Sequence, residues 1–109
     1  MSLHDLLIKT IINSPVVLES NLGMQVSKIT HKISLGKNGD IDIKVDGINS
    51  LTHEPCLAIV EVKTHDGLIP HYLRKQLPKY QERYPDAMQY VAYSLSGKST
   101  QDIAFKRIR

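Results

Sequence analysis

The chain has 109 residues, 41% hydrophobic and 23% charged, which suits one globular domain over 1–109 and argues against wholesale disorder. A single cysteine, Cys56, excludes an internal disulfide and a Cys-rich zinc site, and no apolar run approaches the roughly 18 residues of a membrane span. The net charge of +3 is uneven: residues 1–54 hold five lysines against six acids (net −1), whereas 55–109 hold nine Lys and Arg against five acids (net +4).

In chain order, residues 3–12 place Leu3, Leu7 and Ile11 on one helical stripe, with Ser2 as N-cap. Asn13-Ser14-Pro15 interrupts that helix, and Pro15 opens a second helical segment that carries Glu19 and ends near Gly23. Residues 24–34 read as a strand, and Gly36 to Gly39 as a turn. Residues 40–46 alternate strictly, with Asp40, Asp42, Lys44 and Asp46 on one face and Ile41, Ile43 and Val45 on the other. A loop is expected from Gly47 to Pro55. Residues 56–64 are almost wholly apolar up to Glu61, the mark of a central strand covered on both faces. Residues 69–84 read as a helix anchored by Ile69, Leu73, Leu77 and Tyr80, with Pro78 as a kink or restart. Residues 88–94 form another strand, and 103–109 an edge strand or a frayed tail. The strand–helix–strand unit at the end makes a parallel pair, and the earlier strands an antiparallel meander, so the expected fold is α/β with a mixed central sheet flanked by helices.

Three side chains carry chemistry in this arrangement. Glu61 and Lys63 are two apart on a strand and share a face, at the end of a segment otherwise built for burial. Charges there are costly unless each is paired or binds an ion. If Asp42 and Glu61 lie on neighbouring strands they converge, and a divalent cation relieves their repulsion. Hard oxygen donors suit Mg²⁺ or Mn²⁺, which keep water in their remaining positions. Lys63 beside such an ion would orient a bound water and offset charge on a phosphorane. Asp40, on the same strand face as Asp42, is the alternative ligand. A simple Glu61–Lys63 pair with no ion is the structural alternative. The five histidines, His4, His31, His53, His65 and His71, show no paired ligand spacing; His65 lies just after the Glu-Val-Lys segment. Tyr72 and Tyr80, spaced at helical intervals around Gln76, read as core packing, and Cys56 as a small buried apolar residue.

Gly39-Asp40-Ile41-Asp42-Ile43, followed by Ala58-Ile59-Val60-Glu61-Val62-Lys63-Thr64, resembles the PD-(D/E)XK nuclease superfamily, above all its RecB-type, YraN-like and archaeal Holliday-junction resolvase branches. Gln76-Leu77-Pro78-Lys79-Tyr80 matches the glutamine and tyrosine, four apart, on the helix of the RecB-type branch. The likeness spans roughly residues 39–94. It implies a restriction-endonuclease-like αβββαβ core and a Mg²⁺- or Mn²⁺-dependent deoxyribonuclease. It implies Asp42, Glu61 and the Val62 carbonyl as metal ligands, Lys63 as the catalytic lysine, and Gln76 as a helix residue reaching the metal water or the DNA backbone. An acid from the first helices completes the site in many relatives; Glu19 is the first candidate here and Asp5 the second. Three features depart from the pattern: Ile41-Asp42 replaces Pro-Asp, Pro78 intrudes between Gln76 and Tyr80, and the interval from Asp42 to Glu61 is long.

The expected substrate is DNA, held by Arg74, Lys75, Lys79 and Arg83, and branched or junction forms follow by analogy with the resolvases. A domain this small has little surface to grip a duplex, so a homodimer is expected. A catalytically inactive nuclease-fold module that binds nucleic acid or a protein partner is the alternative, and the basic tail Lys106, Arg107, Arg109 would then share the function. The start Met1-Ser2-Leu3 has no basic, apolar leader, so the expected setting is cytoplasmic, in a cell or from a viral or plasmid gene, with no membrane partner.

Overall fold

The structure, a computed structural model, describes residues 1–109. Helix α1 (Leu3–Ile12) starts as its capping residue dictates: the Ser2 hydroxyl accepts the Asp5 N–H at 3.1 Å. Helix α2 (Pro15–Leu22) has Pro15 in its first turn and stops at Gly23, whose φ of 65° is the left-handed conformation that closes helices. Five strands follow: β1 (Met24–Ser34), β2 (Asp40–Asn49), β3 (Pro55–Lys63), β4 (Met88–Ser94) and β5 (Ile103–Arg107). They form one sheet in the order β1-β2-β3-β4-β5, antiparallel except for the parallel β3–β4 pair. The segment joining β3 to β4 carries helix α3, residues 69–83, whose middle, Tyr72–Gln76, is π-helical. The fold is therefore α/β with a mixed sheet, and the C-terminal segment is an edge strand, not a tail. No helix is long and apolar enough to cross a membrane.

The sheet separates two apolar layers. On one face α1 and α2 bury Leu7, Ile11, Leu18 and Leu22 against Ile43, Val45, Val60 and Val62. On the other, α3 buries Ile69, Tyr72, Leu77 and Tyr80 against Ile41, Ile59 and Val91. β3 contributes alternate residues to both layers, which is why its sequence is apolar throughout. Each fully buried aliphatic side chain contributes about 1.5–3 kcal/mol.

Three local expectations are corrected. β2 runs on to Asn49, so Gly47 lies inside a strand and the loop shortens to 50–54. Gly47 is required there because a Cβ would collide with the Gln25 carbonyl oxygen, at the point where β1 carries an irregularity between Val26 and Lys28. Ile41 does not share a layer with Ile43 and Val45; it belongs to the α3 side, so the alternation of β2 breaks at its N-terminal end. Leu73 is 40% exposed and Tyr72 takes the anchoring position. The π-turn explains that change of phase: the Leu77 N–H bonds to the Tyr72 carbonyl five residues back, which inserts one residue into the helical repeat. It falls immediately before Pro78, which has no N–H and whose ring would crowd the carbonyl four residues earlier in a regular helix.

Two buried groups are left unsatisfied on the α3 side, the Tyr72 hydroxyl and the Gln89 amide. Gln89 is fully buried on β4, and neither its amide oxygen nor its nitrogen has a hydrogen-bond partner. Its backbone is well held, since its carbonyl accepts the N–H of Ile108 at 2.7 Å. Exchanging the amide for an apolar chain of similar length removes a desolvation cost of about 1–3 kcal/mol. Gln89→Met is therefore expected to raise the urea midpoint of unfolding with no change in its slope, and a lowered midpoint would show that the amide has a partner.

Candidate active site

The site forms where β2 and β3 separate. Their paired register ends at Ile43↔Val60. One residue further on, the Asp42 carboxylate takes over the role of the missing backbone partner: Asp42 Oδ2 accepts the Val62 N–H at 2.8 Å. The same oxygen lies 3.3 Å from His4 Nε2 on α1. Asp42 thus ties the first helix, the second strand and the third strand to one point, with 14% of its side chain exposed.

Glu61 projects from β3 toward α3 and is 2% exposed. Lys63, two residues on, shares its face and places Nζ 3.2 Å from Glu61 Oε2. The same ammonium donates to Gln76 Oε1 at 2.6 Å. Gln76 ends the π-turn, so the helical irregularity supplies the residue that fixes the lysine. The Tyr80 hydroxyl lies 3.0 Å from both Glu61 Oε1 and the Asp40 carbonyl oxygen. Its one proton serves one acceptor at a time. A proton on Glu61 removes the conflict, because the hydroxyl then donates to Asp40 and accepts from Glu61.

Electrostatics agree with that reading. Burial first, then the Asp42 charge and the hydrogen bond shared with Asp42, push the Glu61 carboxyl up to about 8, against the opposing pull of Lys63. Burial, and then the nearby Glu61 charge, also raise the Tyr72 and Tyr80 phenols. The Tyr72 hydroxyl is buried with no partner. Burial and the Asp42 charge thus favour the protonated form of Glu61.

The sequence-derived residues divide clearly. Asp42, Glu61, Val62, Lys63 and Gln76 are brought together. Glu19 is not: its Oε2 accepts the Val26 N–H at 2.9 Å, and it lines a shallow groove with Val16, Ser20 and Gln25. Asp5, the second candidate, lines the same cleft as Asp40 and Asp42. Lys79 and Arg83 border a groove between α3 and the β1–β2 turn, while Arg74 and Lys75 are exposed on α3. His65 is used locally, its Nδ1 accepting the Gly67 N–H at 3.1 Å. His4 is the residue that sequence reasoning missed. It lies 38 positions from Asp42, and only the packing of α1 on the sheet brings them together.

No group of three or more His, Cys, Asp or Glu side chains forms a ready-made metal cage. Two carboxylates and a flanking imidazole nevertheless suit a hard divalent ion that retains several waters. Comparison with family models, with curated proteins and with solved structures finds no match to this chain.

Proposed function

We propose that this protein is a divalent-metal-dependent nuclease of the PD-(D/E)XK type, hydrolysing DNA phosphodiester bonds. The observation that carries this reading is the grouping where β2 and β3 part: Asp42 on the Val62 N–H at 2.8 Å, and, on the residues either side of Val62, Glu61 and the Lys63 ammonium 3.2 Å apart. The order of helices and strands around it agrees with the core that the resemblance implies. Asp42 and Glu61 would hold a Mg²⁺ or Mn²⁺ ion, with the Val62 carbonyl as a further donor. The ion would supply an acidified water and a Lewis acid for the phosphoryl oxygen.

The chain's own residues do the rest. The Val62 N–H and His4 fix the orientation of Asp42. Tyr80 holds Glu61 from the buried side. Lys63, clamped between Glu61 and Gln76, orients the nucleophile and sets positive charge beside the developing phosphorane. In this reading two copies act together, since one small domain offers a duplex little surface.

Incubation with linear, flap and junction DNA in Mg²⁺ or Mn²⁺ tests the proposal, alongside calorimetric titration with Mn²⁺. Cleavage and Mn²⁺ heat are both expected for the wild type, and both are expected to vanish in Asp42→Asn. DNA binding without Mn²⁺ heat or product would make the protein a binding module and overturn the nuclease reading.

A further inference from the structure

A cleft of about 590 Å³ opens between α1 and the β1–β2 pair, with Asp42 in its lining. Its other walls carry Lys9 from α1 and both His31 and Lys32 from β1. Neighbouring residues of a regular strand point to opposite faces, so His31 and Lys32 should not both reach one cleft. They do so because Lys32 has a φ of 59°, in the left-handed region that side chains other than glycine rarely adopt. The paired register runs His31↔Ile43 and then Ile33↔Ile41, which sets the strained residue across from Asp42. The left-handed backbone thus turns Lys32 into the cleft that Asp42 lines.

We infer that this cleft is the channel for one nucleic-acid strand, with Lys9 and Lys32 gripping its phosphates on the approach to Asp42. The substrate class rests on the nuclease reading; the placement of the strand rests on the cleft. Both lysines share one cleft with Asp42, a surface that a flexible single strand can follow. Asp5, Asp40 and Asp42 outnumber the two lysines in the lining, and a divalent ion held at Asp42 would offset that excess when a strand binds. The channel lies on the α1 side of the site, away from the Arg74–Arg83 face of α3.

The test is fluorescence anisotropy of a labelled single-stranded oligonucleotide in Ca²⁺ buffer at a series of salt concentrations. Lys9→Ala with Lys32→Gly is the decisive double variant, because glycine accepts the left-handed backbone and the fold is kept; circular dichroism checks this. The logarithmic salt slope is expected to fall by about 1.4 and affinity roughly 10-fold or more. Lys37→Ala with Lys98→Ala removes the same charge from exposed positions outside the cleft and is expected to leave the slope nearly unchanged. An unchanged slope in the cleft variant, or failure of the wild type to bind, overturns the channel. Binding that depends on both lysines without product in any divalent ion removes the nuclease reading and leaves the channel standing. Product formation with a slope indifferent to the cleft lysines does the reverse.

Discussion

Glu61→Gln is expected to stabilise the metal-free protein at neutral and alkaline pH while ending its response to divalent ions. In the folded chain the Glu61 carboxyl titrates at about 8, against 4.5 when unperturbed, chiefly because it is buried. The folded state therefore holds a proton that the unfolded state has released between those values. Stability from this group is fully present below 4.5 and is lost as pH rises through about 8. The amount is on the order of 3 kcal/mol once coupling to Asp42 and Lys63 is allowed for. Glutamine resembles the protonated acid and carries no charge to desolvate, so the variant should show a flat profile over that window. Its melting temperature at pH 9 should exceed the wild type's by roughly 10 °C. Added Mn²⁺ should raise the wild-type melting temperature and leave that of the variant unmoved. Thermal unfolding from pH 4 to 9, with and without Mn²⁺, measures both effects. A variant less stable than the wild type across the whole range would mean that Lys63 holds Glu61 fully ionised in the fold.

Lys63→Met is expected to lower the single-turnover rate of DNA cleavage by about 10²–10⁴-fold, the range for a positioned acid–base or charge-stabilising group. Methionine retains an apolar stem, and Asp42 and Glu61 remain, so Mn²⁺ affinity should change only a few-fold. Without the ammonium the Glu61 carboxyl loses the one influence that lowers it, and the stability window should move to higher pH. Lys63→Arg is not expected to restore the rate. The 2.6 Å contact with Gln76 and the 3.2 Å contact with Glu61 are both made by a compact ammonium, which a planar guanidinium cannot reproduce in the same space. A cleavage rate within a few-fold of wild type in the methionine variant would remove Lys63 from the chemistry.

The elements were largely legible because their signals are local. Ser2 and Gly23 close α1 and α2 through bonds and dihedral angles within a few residues. The apolar run of β3 announced a strand covered on both faces. Gly47 was misread because its requirement comes from β1, through the carbonyl oxygen of Gln25. Leu73 was misread because a helical period was applied across a π-turn. Glu19 appeared available for the site because nothing in its own segment shows that Val26 occupies it.

The candidate site divides along the same line. Alternation along β3 determined by itself that Glu61 and Lys63 share a face, since that is a property of any extended chain. The sequence also placed Gln76 and Tyr80 on one helix. Tertiary structure alone decided that β2 and β3 part at Ile43↔Val60, that the Asp42 carboxylate bridges the gap to Val62, and that His4 meets it there. It likewise decided that burial and the Asp42 charge drive the Glu61 carboxyl upward. The reason is physical. Which face a side chain occupies follows from the local backbone repeat, whereas desolvation and Coulomb terms depend on groups brought together from distant parts of the chain.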